Sequence, residues 1–320
     1  MKNYVDYYVH FTEYRKDINA AAQKEPAELI EQMESLYAAN INNIAKFIIN
    51  GAPGNKALML AGPSSSGKTT TAAMLCKCIE AQGARAIRVS LDDFYLEDSQ
   101  APIDEFGEPD FECIESLDVP LMRKCVEDMM SKGECVIPRF DFKTKTRSFD
   151  GEHIRLSGSD IVIIEGLHAL NPQITDCLPD EKLLKVYCSV KQGISETYNR
   201  LAIRPHELRL IRRIVRDNQF RNMSADDTIS MWPSVRRGEI KHNRPYKRLA
   251  NVTINSLHIY EPCVLAPKAL PLLEQIDLQS KNGAEAKKLA DKLKKFTHID
   301  EAAVPENSLM REFIGGGIYS

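Results

Sequence analysis

Residues 62–69 read Gly-Pro-Ser-Ser-Ser-Gly-Lys-Thr, the pattern G-x-x-x-x-G-K-[ST]. An apolar run, ALMLA (57–61), stands directly before it, and a helix-forming run, TTTAAMLCKCIEA, directly follows Lys68. No other feature constrains the fold as much. A buried strand has to deliver the chain into a tight turn, and a helix has to start where that turn ends. Glycine lets the turn's backbone N–H groups converge on one point without a Cβ in the way. The helix start adds the positive end of its dipole at the same point. Such a cradle fits phosphate oxygens. Gly62, Ser64, Ser65, Ser66, Gly67, Lys68, Thr69 and Thr70 are therefore the candidate nucleotide-binding residues. Lys68 is a mobile cation for the β- and γ-phosphates and the Thr69 hydroxyl is a ligand for Mg²⁺, so ATP and Mg²⁺ are the expected cofactors.

The flanking pattern alternates. AIRVS (86–90), IVII (161–164), LLKVYCSV (183–190) and NVTIN (251–255) join ALMLA as short apolar runs that read as strands. Apolarity that runs on rather than alternating points to parallel strands covered on both faces. Helical patterns fall over 68–82, 118–132, 195–202, 206–221 and 225–239. Strand–helix alternation predicts an α/β fold with a doubly wound, mainly parallel five-stranded sheet and helices on both faces. CVIPRFDF and SFDGEHIRL read as two arms of a β-hairpin across KTKTR, off the main sheet, and LSGS (156–159) reads as a turn. Leu29, Ile30, Met33, Leu36, Tyr37, Ile41, Ile44 and Ile48 recur at helical spacing after Pro26, which suits a helix start. They predict a helical N-terminal extension over 1–54. The α/β core spans 55–262. A helical appendage and tail follow over 263–320, including AEAKKLADKLKKF (284–296), whose lysines read as a solvated face.

Composition narrows the function. The 320 residues carry 42 Lys and Arg against 45 Asp and Glu, a net charge of −3, so generic nucleic-acid binding is not expected. No apolar run approaches the ~18–20 residues that span a bilayer, and the N-terminus lacks a signal-peptide core. The eight cysteines include no CxxC pair and no cysteine–histidine zinc spacing. They read as reduced, buried thiols of a cytoplasmic protein. Oligomeric state is open, and a homo-oligomer is compatible with the sequence.

A phosphate loop establishes nucleotide binding without choosing a reaction. Glu165 ends the strand IVIIEG, on the edge where ligands bind in such sheets, and can hold Mg²⁺ directly or through water. SLDDFY (90–95) puts Asp92 and Asp93 at the end of another strand. One of the two can accept a hydroxyl proton or bind the metal. In HELRLIRRIVRDNQFR (206–221), Arg209, Arg213 and Arg216 share a helical face flanked by Arg212 and Arg221. In a chain of net charge −3 this clustering reads as a phosphate clamp.

Taken in order, these segments resemble the uridine kinase/phosphoribulokinase family over about residues 57–260, and more closely its bacterial uridine kinase-like nucleoside kinases. The resemblance implies a P-loop kinase fold and ATP/Mg²⁺-dependent phosphoryl transfer to a hydroxyl of a small, nucleoside-like acceptor. It implies Asp92 as catalytic base and Lys68 and Arg216 as further catalytic residues, with Thr69, Asp92 and Glu165 around the metal. DFECIESLD (110–118) is similar to the segment whose acidic residue holds ribose hydroxyls, which places Glu112. PRFDFKTKTR (138–147) resembles the hairpin covering the nucleoside, which brings in Phe140, Lys145 and Arg147. RRIVRD with Arg221 resembles the arginine lid, giving Arg213 to the acceptor and Arg216 and Arg221 to phosphates. The chain departs from the pattern where a tyrosine and a histidine read a pyrimidine, because Phe140 and Lys145 stand there. That departure predicts weak activity on uridine and cytidine. A kinase for a sugar or a phosphorylated metabolite is the alternative within enzymes. A nucleotide-binding regulatory module without turnover is the alternative outside them.

Overall fold

In a computed structural model of the chain, residues 13–51, 53–54, 56–97, 100–103, 107, 110–141, 144 and 146–319 are described. Helices α1 (Arg15–Lys24) and α2 (Pro26–Ile49) lead into β1 (Lys56–Ala61), α3 (Lys68–Glu80) and β2 (Ala86–Ser90). Next come α4 (Val119–Lys132), four short strands β3 (Glu134–Val136), β4 (Arg139–Asp141), β5 (Thr146–Ser148) and β6 (His153–Arg155), then β7 (Ile161–Glu165), α5 (Pro172–Thr175) and β8 (Leu183–Ser189). The last third holds β9 (Ile194–Thr197), β10 (Arg200–Ile203), α6 (Pro205–Arg221), α7 (Ala225–Gly238), β11 (Val252–Asn255), α8 (Glu261–Glu274), α9 (Gly283–Leu293) and α10 (Arg311–Ile314).

The central sheet is five-stranded and wholly parallel, in the order β2-β7-β1-β8-β11. All six residues of β1 are buried, as its unbroken apolarity requires for a middle strand. Alternate side chains serve the two faces. Leu58 and Leu60 join one core with Ile44 and Ile48 of α2 and Leu75 and Ile79 of α3. Ala57, Met59 and Ala61 join another with Met122, Val126 and Met129 of α4. Leu60 and Ser90 both lie opposite Glu165, so β1, β7 and β2 end flush. That common edge receives the phosphate loop, Glu165 and the turn bearing Asp92.

The five strands stand where the apolar runs predict them, and α2, α3, α4, α6 and α7 match the helical patterns to within a few residues. The hairpin arms form two nested antiparallel ladders, β3–β6 and β4–β5, off the main sheet. One helix is a misreading. Residues 195–202 fall in the β9–β10 hairpin. Ile194 and Ile203 are buried and Tyr198 is 89% exposed at the turn, so a short alternating run passes for one helical turn. Ser195 N–H also donates to the Glu13 carbonyl at 2.8 Å, and Arg15 forks onto the Glu196 carboxylate at 2.6 and 2.7 Å, tying the segment before α1 to this hairpin.

Two smaller readings also change. Four cysteines are buried, but Cys76, Cys78, Cys135 and Cys177 are only half-buried. On α9, Lys292 turns to the buried Glu207 carboxylate at 2.6 Å and Lys288 reaches it at 3.2 Å from an exposed position, so the lysine face is solvated except at Lys292. Side chains of α2, α8, α9 and α10 join the core around Leu58 and Leu60. Among the described residues, no helix is long and apolar enough to cross a membrane.

Candidate active site

The phosphate loop leaves β1 at Gly62, where a Cβ would meet the Cys188 carbonyl oxygen at 2.1 Å, so only glycine fits between β1 and β8. Ser65 and Gly67 take left-handed backbone angles, φ 56° and 85°, which turn the loop back on itself. Thr71, one turn into α3, donates to the Gly67 carbonyl at 2.5 Å and meets the Tyr37 hydroxyl of α2 at 2.6 Å. The N-terminal helix thus braces the loop from behind. Among the described residues, the buried Ser65 and Ser66 hydroxyls meet no hydrogen-bond partner, so they could serve a ligand in the loop.

Glu165 lies beneath the start of α3. Its Oε1 accepts from the Thr69 hydroxyl at 3.3 Å and from the Ser90 hydroxyl at 3.4 Å. Burial, followed by the Asp92 charge, pushes its pKa up to about 7, and Lys68 acts in the opposite direction. A buried carboxylate next to a second carboxylate and a hydroxyl is an all-oxygen donor set with a deficit of positive charge. It suits a hard cation such as Mg²⁺, which binds through one or two carboxylates and completes its shell with phosphate and water.

The two adjacent carboxylates of SLDDFY separate. Asp93 Oδ1 accepts the Phe140 N–H at 3.3 Å, fixing β4 to the turn, and burial raises its pKa. Asp92 is exposed on the site side, where its charge acts on Glu165, Glu112 and Tyr95. Glu112 is pushed up to about 7 by burial, against the pull of Arg213 and Lys68. It presses against α7 where Gly238 has no side chain; a Cβ there would lie 2.2 Å from the Glu112 Cβ. The Phe140 ring packs at a tilt of 52° against Tyr95, centroids 5.8 Å apart, and the Tyr95 hydroxyl donates to the Phe111 carbonyl at 3.1 Å. Arg147 pairs with Asp118 at 3.0 Å and covers the Phe149 ring, so it braces the hairpin against α4. Lys145 lies outside the described residues.

The arginines divide differently from the helical-face reading. Arg213 donates to the Ser64 hydroxyl at 2.9 Å and pairs with Asp217 at 3.1 Å. Arg216 and Arg221 reach the same Asp217 carboxylate at 2.7 and 3.5 Å. One fully buried carboxylate thus gathers three guanidinium groups and leaves the cluster net positive. Arg209 and Arg212 face the loop's carbonyls instead. Residues 207–215 of α6 are buried, so those turns belong to the core, whereas Arg216 is half-buried and Arg221 exposed.

The sequence reading passed over Tyr95, Asp217 and His168. His168, three residues after Glu165 in EGLHAL, is buried, and burial followed by His242 pushes its pKa down to about 4. A histidine so close to a strand-end acid was the available signal. His242 in turn faces Asp110 at 3.6 Å.

A phosphate loop at the central strand of a parallel sheet, with acids on the adjoining strand ends and an arginine cluster opposite, defines a P-loop phosphotransferase. The phosphoribulokinase / uridine kinase family model matches residues 58–261, and the chain belongs to that family. It is a small-molecule kinase. A uridine kinase of Ureaplasma urealyticum serovar 10 is 27% identical over 219 residues, covering 63% of this chain and 96% of that protein. One of Bacillus pumilus is 29% identical over 198 residues, covering 61% and 83%. A solved structure described as a possible uridine kinase from Bacillus stearothermophilus covers 68% of this chain and 97% of its own, at 20% identity and TM-score 0.45.

Proposed function

We propose that the chain transfers the terminal phosphoryl group of ATP to a hydroxyl of a small polyol or nucleoside-like acceptor. The observation that supports this most is the phosphate loop flanked by the Glu165 carboxylate on the Thr69 hydroxyl at 3.3 Å and by the Arg213 guanidinium on the Ser64 hydroxyl at 2.9 Å. Loop amides and Lys68 hold the triphosphate. Thr69 and Glu165, with Asp92 beside them, are the residues to hold Mg²⁺, which when bound offsets phosphate charge. Glu112 accepts hydrogen bonds from acceptor hydroxyls. Asp92 takes the proton of the attacking hydroxyl, and the Arg213–Arg216–Arg221 cluster neutralises charge on the transferred group. The relatives are named for uridine, yet Phe140 offers a ring face without a hydroxyl to read a base edge, so plain uridine and cytidine are poor acceptors.

A panel of nucleosides, sugars and phosphorylated sugars, read by a mass gain of one phosphate, tests the reading. At least one acceptor gains phosphate with the wild-type chain and none with folded Lys68→Ala. ATP binding with no acceptor phosphorylated would overturn it in favour of a regulatory nucleotide-binding module. Efficient phosphorylation of uridine would overturn the acceptor part alone.

A further inference from the structure

Arg212 is the bulkiest fully buried side chain among the described residues. A guanidinium out of water is tolerated only when its N–H groups are matched. Arg212 Nε and Nη2 fork onto the Glu261 carboxylate at 2.7 and 2.5 Å. Nη2 also donates to the Ser256 carbonyl at 2.6 Å, and Nη1 to the Ser65 carbonyl at 3.2 Å and the Ser256 hydroxyl at 3.4 Å. The Phe313 ring of α10 covers its face at 4.8 Å. One turn earlier, Arg209 Nη1 donates to the Ser64 carbonyl at 2.9 Å and Nη2 to Glu239 at 2.6 Å, with Trp232 on its face at 5.5 Å. Neither guanidinium is free to clamp a phosphate. Both hold consecutive carbonyls of the phosphate loop.

A peptide unit has two ends. When its carbonyl is fixed on one side of the loop, the N–H of the following residue points to the other. Ser65 needs this support, because its φ of 56° is unfavourable for a residue with a Cβ. We propose that Arg209 and Arg212 are positioning residues of the phosphate loop. They hold the Ser64 and Ser65 carbonyls outward: Arg209 thereby turns the Ser65 N–H toward the phosphate side, and Arg212 fixes the turn in which the Ser66 N–H donates to the Pro63 carbonyl at 3.2 Å, while α8 and α10 hold Arg212 through Glu261 and Phe313. The inference rests on the reading of this loop as the ATP site. It gives the C-terminal appendage, which lies outside the matched segment, a part in nucleotide binding through Phe313, whereas Glu261 is the last residue of that segment.

The test compares Mg·ADP with AMP by calorimetry on the full chain, because AMP lacks the phosphate that this loop faces. Arg212→Lys and Arg209→Lys keep a cation and lose the fork. Glu261→Gln removes the carboxylate that fixes Arg212 without touching the loop. Each variant is expected to weaken ADP by about tenfold or more, and to raise the KM for ATP in step, while AMP stays within about twofold. A general loss of structure lowers both ligands alike, and that outcome, or unchanged ADP affinity in folded variants, overturns the proposal. If Arg212→Lys fails to fold, Arg209→Lys decides, since its partner Glu239 keeps Arg236 at 2.7 Å. A wild-type chain that binds neither ligand overturns the ATP-site reading itself, and the inference with it.

Discussion

The Glu312 carboxylate accepts the Thr70 hydroxyl at 2.8 Å and the Thr70 backbone N–H at 3.3 Å. Thr70 stands at the start of α3, where exposed amides attract anions. The tail of the chain therefore places its own carboxylate in a seat that suits a phosphate oxygen, with Leu309 against Gly67 beside it. If Thr70 holds a nucleotide phosphate, Glu312 competes with it for the same donors. Glu312→Gln is expected to tighten Mg·ADP binding and lower the KM for ATP several-fold with kcat little changed. Weaker ADP binding by a folded variant would show that Glu312 supports the nucleotide instead.

The separation of Asp92 from Asp93 gives a second test. Asp92→Asn is expected to keep ADP affinity within a few-fold and to lower kcat by roughly 10²–10⁴, the scale of lost general-base catalysis. Asp93→Asn weakens the bond to the Phe140 N–H, so it loosens the β4–β5 hairpin and raises the acceptor KM with a smaller effect on kcat. Steady-state kinetics with the acceptor found by the panel distinguishes them. Equal kcat losses would remove the distinction drawn between the two carboxylates.

The parts of the site that local sequence encodes were legible. The spacing of Gly62, Gly67, Lys68 and Thr69 is itself the cradle, and an acid ending an apolar strand, as Glu165 does, has one edge of the sheet to stand on. Spacing alone leaves the choice between Asp92 and Asp93 open, because adjacent residues on a single turn differ only in what packs beside them; the family resemblance is what singles out Asp92. The face shared by Arg209, Arg213 and Arg216 was readable from helical spacing, but not what that face meets; Arg212, read as a flank, is the deepest of the set. The 195–202 segment misled because eight residues carry too few apolar positions to separate a period of 3.6 from a period of 2. Glu312 reaches Thr70 across 242 residues, and nothing local marks such a pair.

Glu112 sets a pH dependence. Its folded value of about 7 lies above the ordinary 4.5 because burial disfavours the charge. The folded chain thus binds the proton more tightly than the unfolded chain. The resulting stability is fully present below 4.5 and is lost as pH rises through about 7. Function runs the other way, since the ionised carboxylate is the better acceptor for hydroxyl donors. The acceptor KM is expected to fall as pH rises from 6 to 8, roughly tenfold at most if one ionisation near 7 governs it. Glu112→Gln is expected to flatten both the KM profile and its share of the stability profile. Profiles that keep their shape in that variant would assign the titration elsewhere.

Asp217 offers the sharpest test of the arginine cluster. Its carboxylate is fully buried, and Arg213, Arg216 and Arg221 converge on it at 3.1, 2.7 and 3.5 Å. Removing that one negative charge leaves three guanidinium groups facing each other around a site that attracts phosphates. Breaking a buried ion pair by taking away one partner costs about 3–5 kcal/mol. Asp217→Asn, which keeps the shape, is expected near the lower end, because the Arg221 side chain is 57% exposed and can turn to solvent. The same repulsion makes the variant depend on anions. Millimolar phosphate or ATP should recover more of its thermal midpoint than it adds to wild type, because a bound anion replaces the missing charge. Turnover should fall at least tenfold, since Arg213 and Arg216 lose the group that aims them. Equal stabilisation of variant and wild type by phosphate would mean that the three arginines do not form one anion-binding unit.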